Sequence, residues 1–557
     1  MHAVRQFQRA SATSQPELYT RDFSTAEVRT KSFCRSWLPI TVTILCFHFF
    51  ASSGFSTDER TQAETHVDLG LQFAQQGDLV HAESELRQAA EIAPTDPEML
   101  ASFGTVLAMQ NKLEESSSVF KRELKVSPHD ITVRRYLAAN LWQLHRFAES
   151  KKNLQILLAE KPDDQPARLL LGMVSENMKD YATAVRMLSS VPEQVRQQPE
   201  SVEALARSYY HLGQTSKARA ALAELSDSPA KGQAVFQGAQ IADEMRDYET
   251  AEKMLLAIES IFPDHAALGY RLASVQYHAG QFDDSQRTLL GLIERGNTNE
   301  QIYNLLGWSY YKNNHPKESI QVLNQAIDIA PEDKTNYQDL GKILVAEHVL
   351  PSALALTRKA TTAFPNSAEI FELQGSVELK MGQFADASRS YSRAVELDAS
   401  RADGLLGLAQ AQFSAGNVKE ATASLDGGIK RFPKEARLKV LYASVLQKEA
   451  ETSGSQVDHR AEEMLQSALV LDHSLPSAHY ELGKLALNAG RLPEALEHLE
   501  KAAKLDPQNS ETHFALSRAY RRMGRKGEAT QQMDIYEKLK KAETQTSSSS
   551  SEQTTQN

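Results

Sequence analysis

The stretch from Tyr480 to Pro507, YELGKLALNAGRLPEALEHLEKAAKLDP, decides the fold. Its apolar and small residues recur at helical spacing on either side of Gly490, which predicts two helices joined by a tight turn. Gly483 lies in the first predicted helix, and Ala495 lies twelve residues later in the second. Small residues at both places predict that the two helices pack closely as an antiparallel pair.

The same pattern repeats along most of the chain. Prolines recur at intervals of 34 residues or near-multiples of 34, at Pro94, Pro128, Pro162, Pro263, Pro331, Pro365, Pro433 and Pro507. This register divides the chain into fourteen units between Ala63 and Glu543. A fixed period of this length is the signature of a repeat array.

Small residues keep this register in every unit. The position held by Gly483 is elsewhere occupied by Gly70, Gly104, Ala138, Gly172, Ala206, Ala239, Ala273, Gly307, Gly341, Gly375, Ala409, Ala443 and Ser517. The position held by Ala495 is Ala or Ser in all units, from Ala82 to Ala529. Close packing of the two helices is therefore predicted throughout the array.

Two further positions complete the pattern. Residues that tolerate a left-handed backbone end the first helix, namely Gly77, Asn111, Gly213, Gly280, Asn314, Gly382, Gly416, Gly490 and Gly524. Four residues beyond the small position of the second helix, large apolar residues from Leu86 to Met533 form a seam, which Thr357 interrupts and Tyr391 enlarges. No unit can bury this seam alone, so the units must stack.

These features resemble the tetratricopeptide repeat (TPR) family over about 480 residues. The resemblance implies an all-α fold, a right-handed α-solenoid of about fourteen stacked helix-turn-helix units. It also implies that the first helices line a concave groove and that the second helices form the convex back. Expected divisions are a main array of eleven units at 63–435, a unit at 436–475 with a loop insertion near 449–458, and a C-terminal pair at 476–543.

The two ends of the chain differ from the array. Residues 1–36 are basic and are predicted to be disordered, whereas residues 37–54 are apolar and predict a signal peptide or a membrane anchor. A capping helix of the solenoid is the alternative for this apolar segment. The Ser-, Gln- and Thr-rich residues 544–557 predict a disordered tail.

Composition restricts the classes of partner. The 557-residue chain has a formal net charge of -11, which disfavours nucleic acid. Its two cysteines, Cys34 and Cys46, both precede the repeats, so the array has no predicted disulfide. No metal-binding, phosphate-binding or nucleophile motif is present in the sequence, so neither a cofactor nor catalysis is predicted.

Two surfaces are candidate protein-binding sites. The family's groove-facing positions correspond to Arg135, Trp142, Arg207, Tyr210, Tyr270, Tyr277, Trp308 and Tyr311, although the aromatic residues could instead pack neighbouring helices. A basic patch in the last unit comprises Arg518, Arg521, Arg522, Arg525 and Lys526, which could bind an acidic partner or anionic lipid, or simply solvate the end of the array. The asparagine of the family's carboxylate clamp is absent, with Leu71 and Thr105 among the residues at its position.

The sequence therefore predicts a non-catalytic scaffold for protein or peptide partners, at or across a membrane in an envelope-associated or secretory assembly. A regulatory or substrate-recruiting partner of a separate enzyme, such as a glycosyltransferase, is the alternative. Membrane anchorage or export is the expected localisation, with the cytoplasm as the alternative. The identity of the partner and the oligomeric state are not predicted.

Overall fold

A computed structural model describes residues 57–227, 231–453 and 459–552. Helices form nearly all of this part of the chain, and it contains no strand. Contacts divide the molecule into two bodies, an N-terminal body up to Thr288 and a C-terminal body from Leu289 onward. The expected all-helical repeat solenoid is confirmed.

Each repeat unit consists of a first and a second helix. In the N-terminal body these are α1 (Thr57–Gln75) and α2 (Leu79–Ile92), α3 (Pro97–Met109) and α4 (Leu113–Val126), α5 (Ile131–Gln143) and α6 (Phe147–Glu160), α7 (Gln165–Asn177) and α8 (Tyr181–Leu188) with the short α9 (Pro192–Arg196), α10 (Pro199–His211) and α11 (Thr215–Ala223), α12 (Lys231–Glu244) and α13 (Tyr248–Ala257), and α14 (His265–His278) and α15 (Phe282–Glu294). A 3-10 turn (Glu224–Asp227) follows α11, and the division between the bodies falls inside α15.

The C-terminal body continues the same alternation. Its pairs are α16 (Glu300–Lys312) and α17 (Pro316–Ile329), α18 (Lys334–Ala346) and α19 (Leu350–Ala363), α20 (Ala368–Lys380) and α21 (Phe384–Leu397), α22 (Ala402–Ser414) and α23 (Val418–Arg431), α24 (Ala436–Ser453) and α25 (His459–Leu471), α26 (Pro476–Asn488) and α27 (Leu492–Leu505), and α28 (Ser510–Arg522) and α29 (Lys526–Glu552). The pairs are numbered below as units 1 to 14 in chain order.

The small positions bring the two helices of a unit together as predicted. A Cβ atom added to Gly104 would lie 2.5 Å from the Phe120 ring, so only glycine fits at this place. In three units the serine of the second helix bridges the two helices, and Ser116 Oγ, for example, donates to the Gly104 carbonyl at 2.6 Å. Thr357, which interrupts the apolar seam, is fully buried and donates its hydroxyl to the Leu354 carbonyl at 3.1 Å.

The turns between paired helices require one residue with a left-handed backbone. All the glycines predicted for this role have positive φ, as do Asn111 and Asn314. The same conformation occurs at His145, Lys179, Arg246 and His348, which was not expected because such residues pay a steric cost there. The helix-ending hydrogen bonds from the next amide, such as Arg146 N to the Leu141 carbonyl at 2.8 Å, hold these residues in place.

Two segments that were predicted to be irregular are helical in their described residues. The loop predicted from Glu449 onward does not begin at that residue, because α24 continues to Ser453. Within this last part of the helix, Ala450 is buried and Lys448 pairs with Glu451 at 3.3 Å. Residues 454–458 lie outside the described part. The predicted tail is helical up to Glu552, since extending an existing helix costs far less than nucleating one.

The N-terminal predictions lie outside the described residues. They concern the basic region 1–36 and the apolar segment 37–54. Within the part of the chain that is described, no helix has both the length and the apolar character needed to cross a membrane.

Candidate functional site

The first helices form one layer of each body. First helices of neighbouring units contact one another in most cases, for example α10 with α12 and α26 with α28. Second helices of neighbouring units make no comparable contact within the described residues. The first helices therefore form the more closely connected layer of each stack, and this layer is the candidate surface for a partner.

Arg135 was expected to face a partner, but it joins two units. Its guanidinium binds both carboxylate oxygens of Asp164, at 3.2 Å from Nε and 2.6 Å from Nη2. The Asp164 side chain is only 2% exposed and also accepts from the Ala167 amide at 3.0 Å, capping α7. Arg135 consequently stabilises the boundary between units 3 and 4, as a buried two-point charge pair does.

Arg207 and Tyr210 are also bound to neighbouring units. Arg207 Nη1 lies 2.9 Å from Glu176 Oε1, and the Tyr210 hydroxyl donates to Asp247 Oδ2 at 2.8 Å. The fork of Arg219 holds the same Asp247 at 2.7 and 2.8 Å. Burial and the hydrogen bond to a carboxylate raise the pKa of Tyr210 well above its ordinary value. Both residues thus connect units, and the acids that hold them were not expected.

A second acid of this kind is Asp243 in α12. Its carboxylate lies 2.9 Å from His278 Nδ1 and 3.9 Å from Arg271 Nη1. The sequence signal for such a pair is a carboxylate near the end of one first helix and a basic residue in the next first helix. This pattern occurs for Glu176 and Arg207 as well.

Three aromatic side chains of the expected groove are partly exposed in the N-terminal body. They are Trp142, Tyr270 and Tyr277. Trp142 packs against two hydrophobic clusters that both include residues of unit 4, and the Tyr277 ring contacts Phe282 edge-on with centroids 5.6 Å apart. These side chains can both pack within the array and contact an external segment, which is typical of aromatic residues at interfaces.

Trp308 does not fit the expected role. It belongs to the C-terminal body and its side chain is only 5% exposed, so it is a core residue. Its position follows the fully buried small residue Gly307, where the first helix faces Leu323 of the second. Tyr311 packs edge-on against it at 5.9 Å and is half-buried, and this burial raises the pKa of Tyr311.

The five residues of the basic patch lie on α28, on the turn that follows and at the first residue of α29, and all are exposed. Arg525 binds Glu528 at 2.9 Å and stacks over the Tyr520 ring, and Arg522 Nη1 donates to the Leu487 carbonyl at 2.7 Å. The side chains of Arg518, Arg521 and Lys526 make no hydrogen bond or ion pair with any described residue. The patch is therefore a surface with uncompensated positive charge.

One histidine pair joins α26 to α27. His479 Nδ1 lies 3.0 Å from His498 Nδ1, and His479 Nε2 lies 3.3 Å from the His473 carbonyl. A carbonyl only accepts, so His479 carries its proton on Nε2 and its bare Nδ1 accepts from His498. Among the described residues, no group of three or more His, Cys, Asp or Glu side chains is arranged to bind a metal ion.

Family comparisons match repeats in both bodies. Models described as "Tetratricopeptide repeat" match residues 204–228, 244–308, 300–333, 372–436 and 476–509. Together with the helical pairs, these matches place the repeat in units from the middle of the chain to near its end.

Two relatives have low sequence identity. The chain is 19% identical to "Protein CTR9 homolog" of Arabidopsis thaliana over 356 residues, which are 60% of this chain and 32% of that protein. It is 18% identical to "Tetratricopeptide repeat protein 8" of Caenorhabditis elegans over 225 residues, which are 38% of this chain and 44% of that protein. The matched regions therefore span less than half of either relative.

Solved structures also resemble this chain. The crystal structure of the APC/C hetero-tetramer Cut9-Hcn1 is 12% identical and covers 89% of this chain and 99% of that chain, with a TM-score of 0.35. Yeast Tom70 is 16% identical and covers 81% of this chain and 96% of that chain, with a TM-score of 0.35.

Proposed function

Because the chain is a tetratricopeptide repeat protein, we propose that it is a non-catalytic scaffold whose layer of first helices binds extended segments of other proteins. The observation that carries this proposal is the layer itself: neighbouring first helices contact one another, so side chains from successive units form one surface. A surface built from repeated units can contact a partner along its length.

Within this surface, Trp142 and Tyr277 are the residues most suited to a partner. Both are partly exposed and lie at the same register in the first helices of units 3 and 7. Large aromatic side chains provide much of the binding energy in protein interfaces. Arg135, Arg207 and Trp308 are set aside as contact residues, because the first two hold carboxylates of neighbouring units and the third is buried.

The test is crosslinking in cells followed by purification and identification of the bound proteins. We expect Trp142→Ala with Tyr277→Ala to reduce recovery of the main partner while the helical circular dichroism signal is retained. Leu256→Ala is the matched control, because Leu256 is an exposed apolar residue on the second-helix layer of the same body. Equal recovery with the groove variant and the control would reject this surface.

We further propose that the apolar segment 37–54 targets the scaffold to a membrane, in an envelope-associated or secretory assembly. The support is the sequence alone, a basic region followed by an apolar run. Cell fractionation of the full chain and of a variant without residues 1–54 tests this. Membrane association or export should require the segment, and an identical soluble distribution of the two proteins would reject it.

A further inference from the structure

We propose that the basic patch of unit 14 binds an acidic segment of a partner protein, with Arg518 and Arg521 pairing with its carboxylates. This inference rests on the proposed scaffold function and adds a second binding surface, in the C-terminal body. The partner segment that fits the patch is extended and rich in Asp or Glu.

Two basic residues on first helices of the N-terminal body are held by a carboxylate of the preceding first helix. Arg207 follows Glu176 by 31 residues and pairs with it at 2.9 Å. His278 follows Asp243 by 35 residues, and its Nδ1 lies 2.9 Å from that carboxylate. In both cases, a carboxylate near the end of one first helix meets a basic residue of the next first helix.

Unit 13 has no carboxylate at the corresponding position. The corresponding residue is Leu487, which is 1% exposed. Arg518 follows Leu487 by 31 residues, and Arg522 follows it by 35. Arg522 donates to the Leu487 backbone carbonyl at 2.7 Å, and this oxygen carries no net charge to balance the guanidinium.

Two acidic residues of units 13 and 14 have other partners. Glu528 is held by Arg525 at 2.9 Å, and Glu481 is buried and bound by Gln447 at 3.0 Å. Neither carboxylate pairs with Arg518 or Arg521, whose side chains are exposed to solvent. Arg518 and Arg522 therefore have the spacing of the basic residues in these pairs, but no carboxylate lies at the corresponding position of unit 13.

Charge complementarity indicates the occupant. Guanidinium groups bind carboxylates through two parallel hydrogen bonds, and two adjacent arginines can hold successive acidic side chains of an extended peptide. The chain as a whole has a net charge of -11, which repels a long polyanion such as nucleic acid but leaves a short acidic segment able to reach the patch.

The experiment measures binding of a fluorescein-labelled peptide of alternating Glu and Gly to the full chain by fluorescence anisotropy. A peptide with Gln in place of Glu is the ligand control. We expect binding of the Glu peptide that weakens as salt is raised, and little binding of the Gln peptide. Arg518→Ala with Arg521→Ala should raise the Kd roughly fivefold or more, because two charge pairs are lost.

The matched protein control is Lys538→Ala with Lys541→Ala, which removes the same charge from exposed positions of α29 in the same unit. Equal weakening by this control would show a general charge effect and overturn the proposal. Binding to phosphatidylserine vesicles without binding to the Glu peptide would overturn it in favour of a lipid site. Either failure would leave the partner recovery measured with Trp142 and Tyr277 unaffected, because those residues belong to the other body.

Discussion

At the scale of single residues, the repeat tolerates a few side chains that its packing disfavours. Glu123 of α4 is fully buried, and neither of its carboxylate oxygens has a hydrogen-bond partner among the described residues. Burial, with Asp130 nearby, raises the pKa of Glu123 to about 7. Arg134 opposes this shift, but its guanidinium is directed to the Pro128 carbonyl and to Asn153.

This carboxyl group should make stability depend on pH. The folded state holds it protonated up to about pH 7, whereas the unfolded chain ionises near 4.5, so stability is lost as pH rises through this interval. We predict that Glu123→Gln removes this loss and is more stable than wild type by roughly 1–3 kcal/mol at about pH 8, with little difference at about pH 4.5. Urea unfolding at both pH values checks this.

Glu114→Gln is the control, because Glu114 is an exposed residue of the same helix. It should leave the pH dependence of the urea midpoint unchanged. If Glu123→Gln and wild type show the same pH dependence, Glu123 is ionised in the folded protein and the inferred shift is wrong.

Tyr391 shows how an oversized residue is accommodated in the seam. Its ring lies between Gly375 and Gly407, and a Cβ atom at Gly375 would lie 2.7 Å from ring atom Cδ2. A Cβ atom at Gly407 would clash with the ring even more closely. The large side chain is therefore possible only because both neighbours lack a side chain.

We predict that Gly407→Ala destabilises the protein by roughly 1–3 kcal/mol, because the Tyr391 ring cannot move out of a packed core without strain. Gly427→Ala is the control, since a Cβ atom there meets nothing within 4 Å. It should be neutral or stabilising by up to about 1 kcal/mol, because alanine favours the helix. Thermal unfolding followed by circular dichroism compares the two, and equal melting temperatures would contradict the packing argument.

At the scale of helical elements, the contact between α26 and α27 contains a pH-sensitive pair. His479 is 3% exposed, and burial lowers its pKa below the ordinary 6.5. The hydrogen bond to the His473 carbonyl opposes this shift in part, and the charges of Lys501 and His498 add to it. A proton on His479 Nδ1 would face the proton that His498 Nδ1 donates, so the hydrogen bond between the rings would be lost. Acid should therefore loosen this contact.

We predict that the urea midpoint falls when the pH is lowered from about 7.5 to about 5.5, because the histidine is protonated at a higher pH in the unfolded chain than in the folded protein. The loss of unfolding free energy due to this pair should be on the order of 1 kcal/mol. His498→Gln should reduce the fall, because it reproduces the pair that His513 Nδ1 makes with Gln532 at 2.6 Å in unit 14. The same fall in both proteins would show that the pair does not determine the acid sensitivity.

At the scale of the whole molecule, stability is a sum over neighbouring units. Each unit buries its seam only against adjacent units, so a local defect should spread no further than the units that it touches. This differs from a single globular core, where one defect lowers the stability of every helix.

We predict that Gly407→Ala increases amide hydrogen exchange in units 10 to 12 and leaves units 1 to 3 unchanged, because the affected contacts all lie in the C-terminal body. Hydrogen-exchange mass spectrometry of the variant and wild type measures this. A uniform increase along the chain would show that the array unfolds as one cooperative unit.

The sequence by itself determined the repeat. Small residues such as Gly483 and Ala495 suit close helix packing, and Gly490 suits a left-handed turn, so the register, the helix pairs and the seam follow from local rules. The unexpected left-handed turns at His145 and His348 could not be found in this way, since the surrounding helices impose a conformation that these residues do not prefer.

Only the tertiary structure decided which groove residues remain available to a partner. Arg135 and Arg207 occupy equally plausible groove positions in sequence, but each meets a carboxylate that lies about one repeat away, and Trp308 is covered by packing. Arg518 has the spacing of Arg207, but the corresponding position of the preceding unit holds Leu487 in place of a carboxylate, and the Arg518 side chain stays exposed. Periodicity gives the position of a side chain within its unit, whereas its availability depends on the neighbouring unit that faces it.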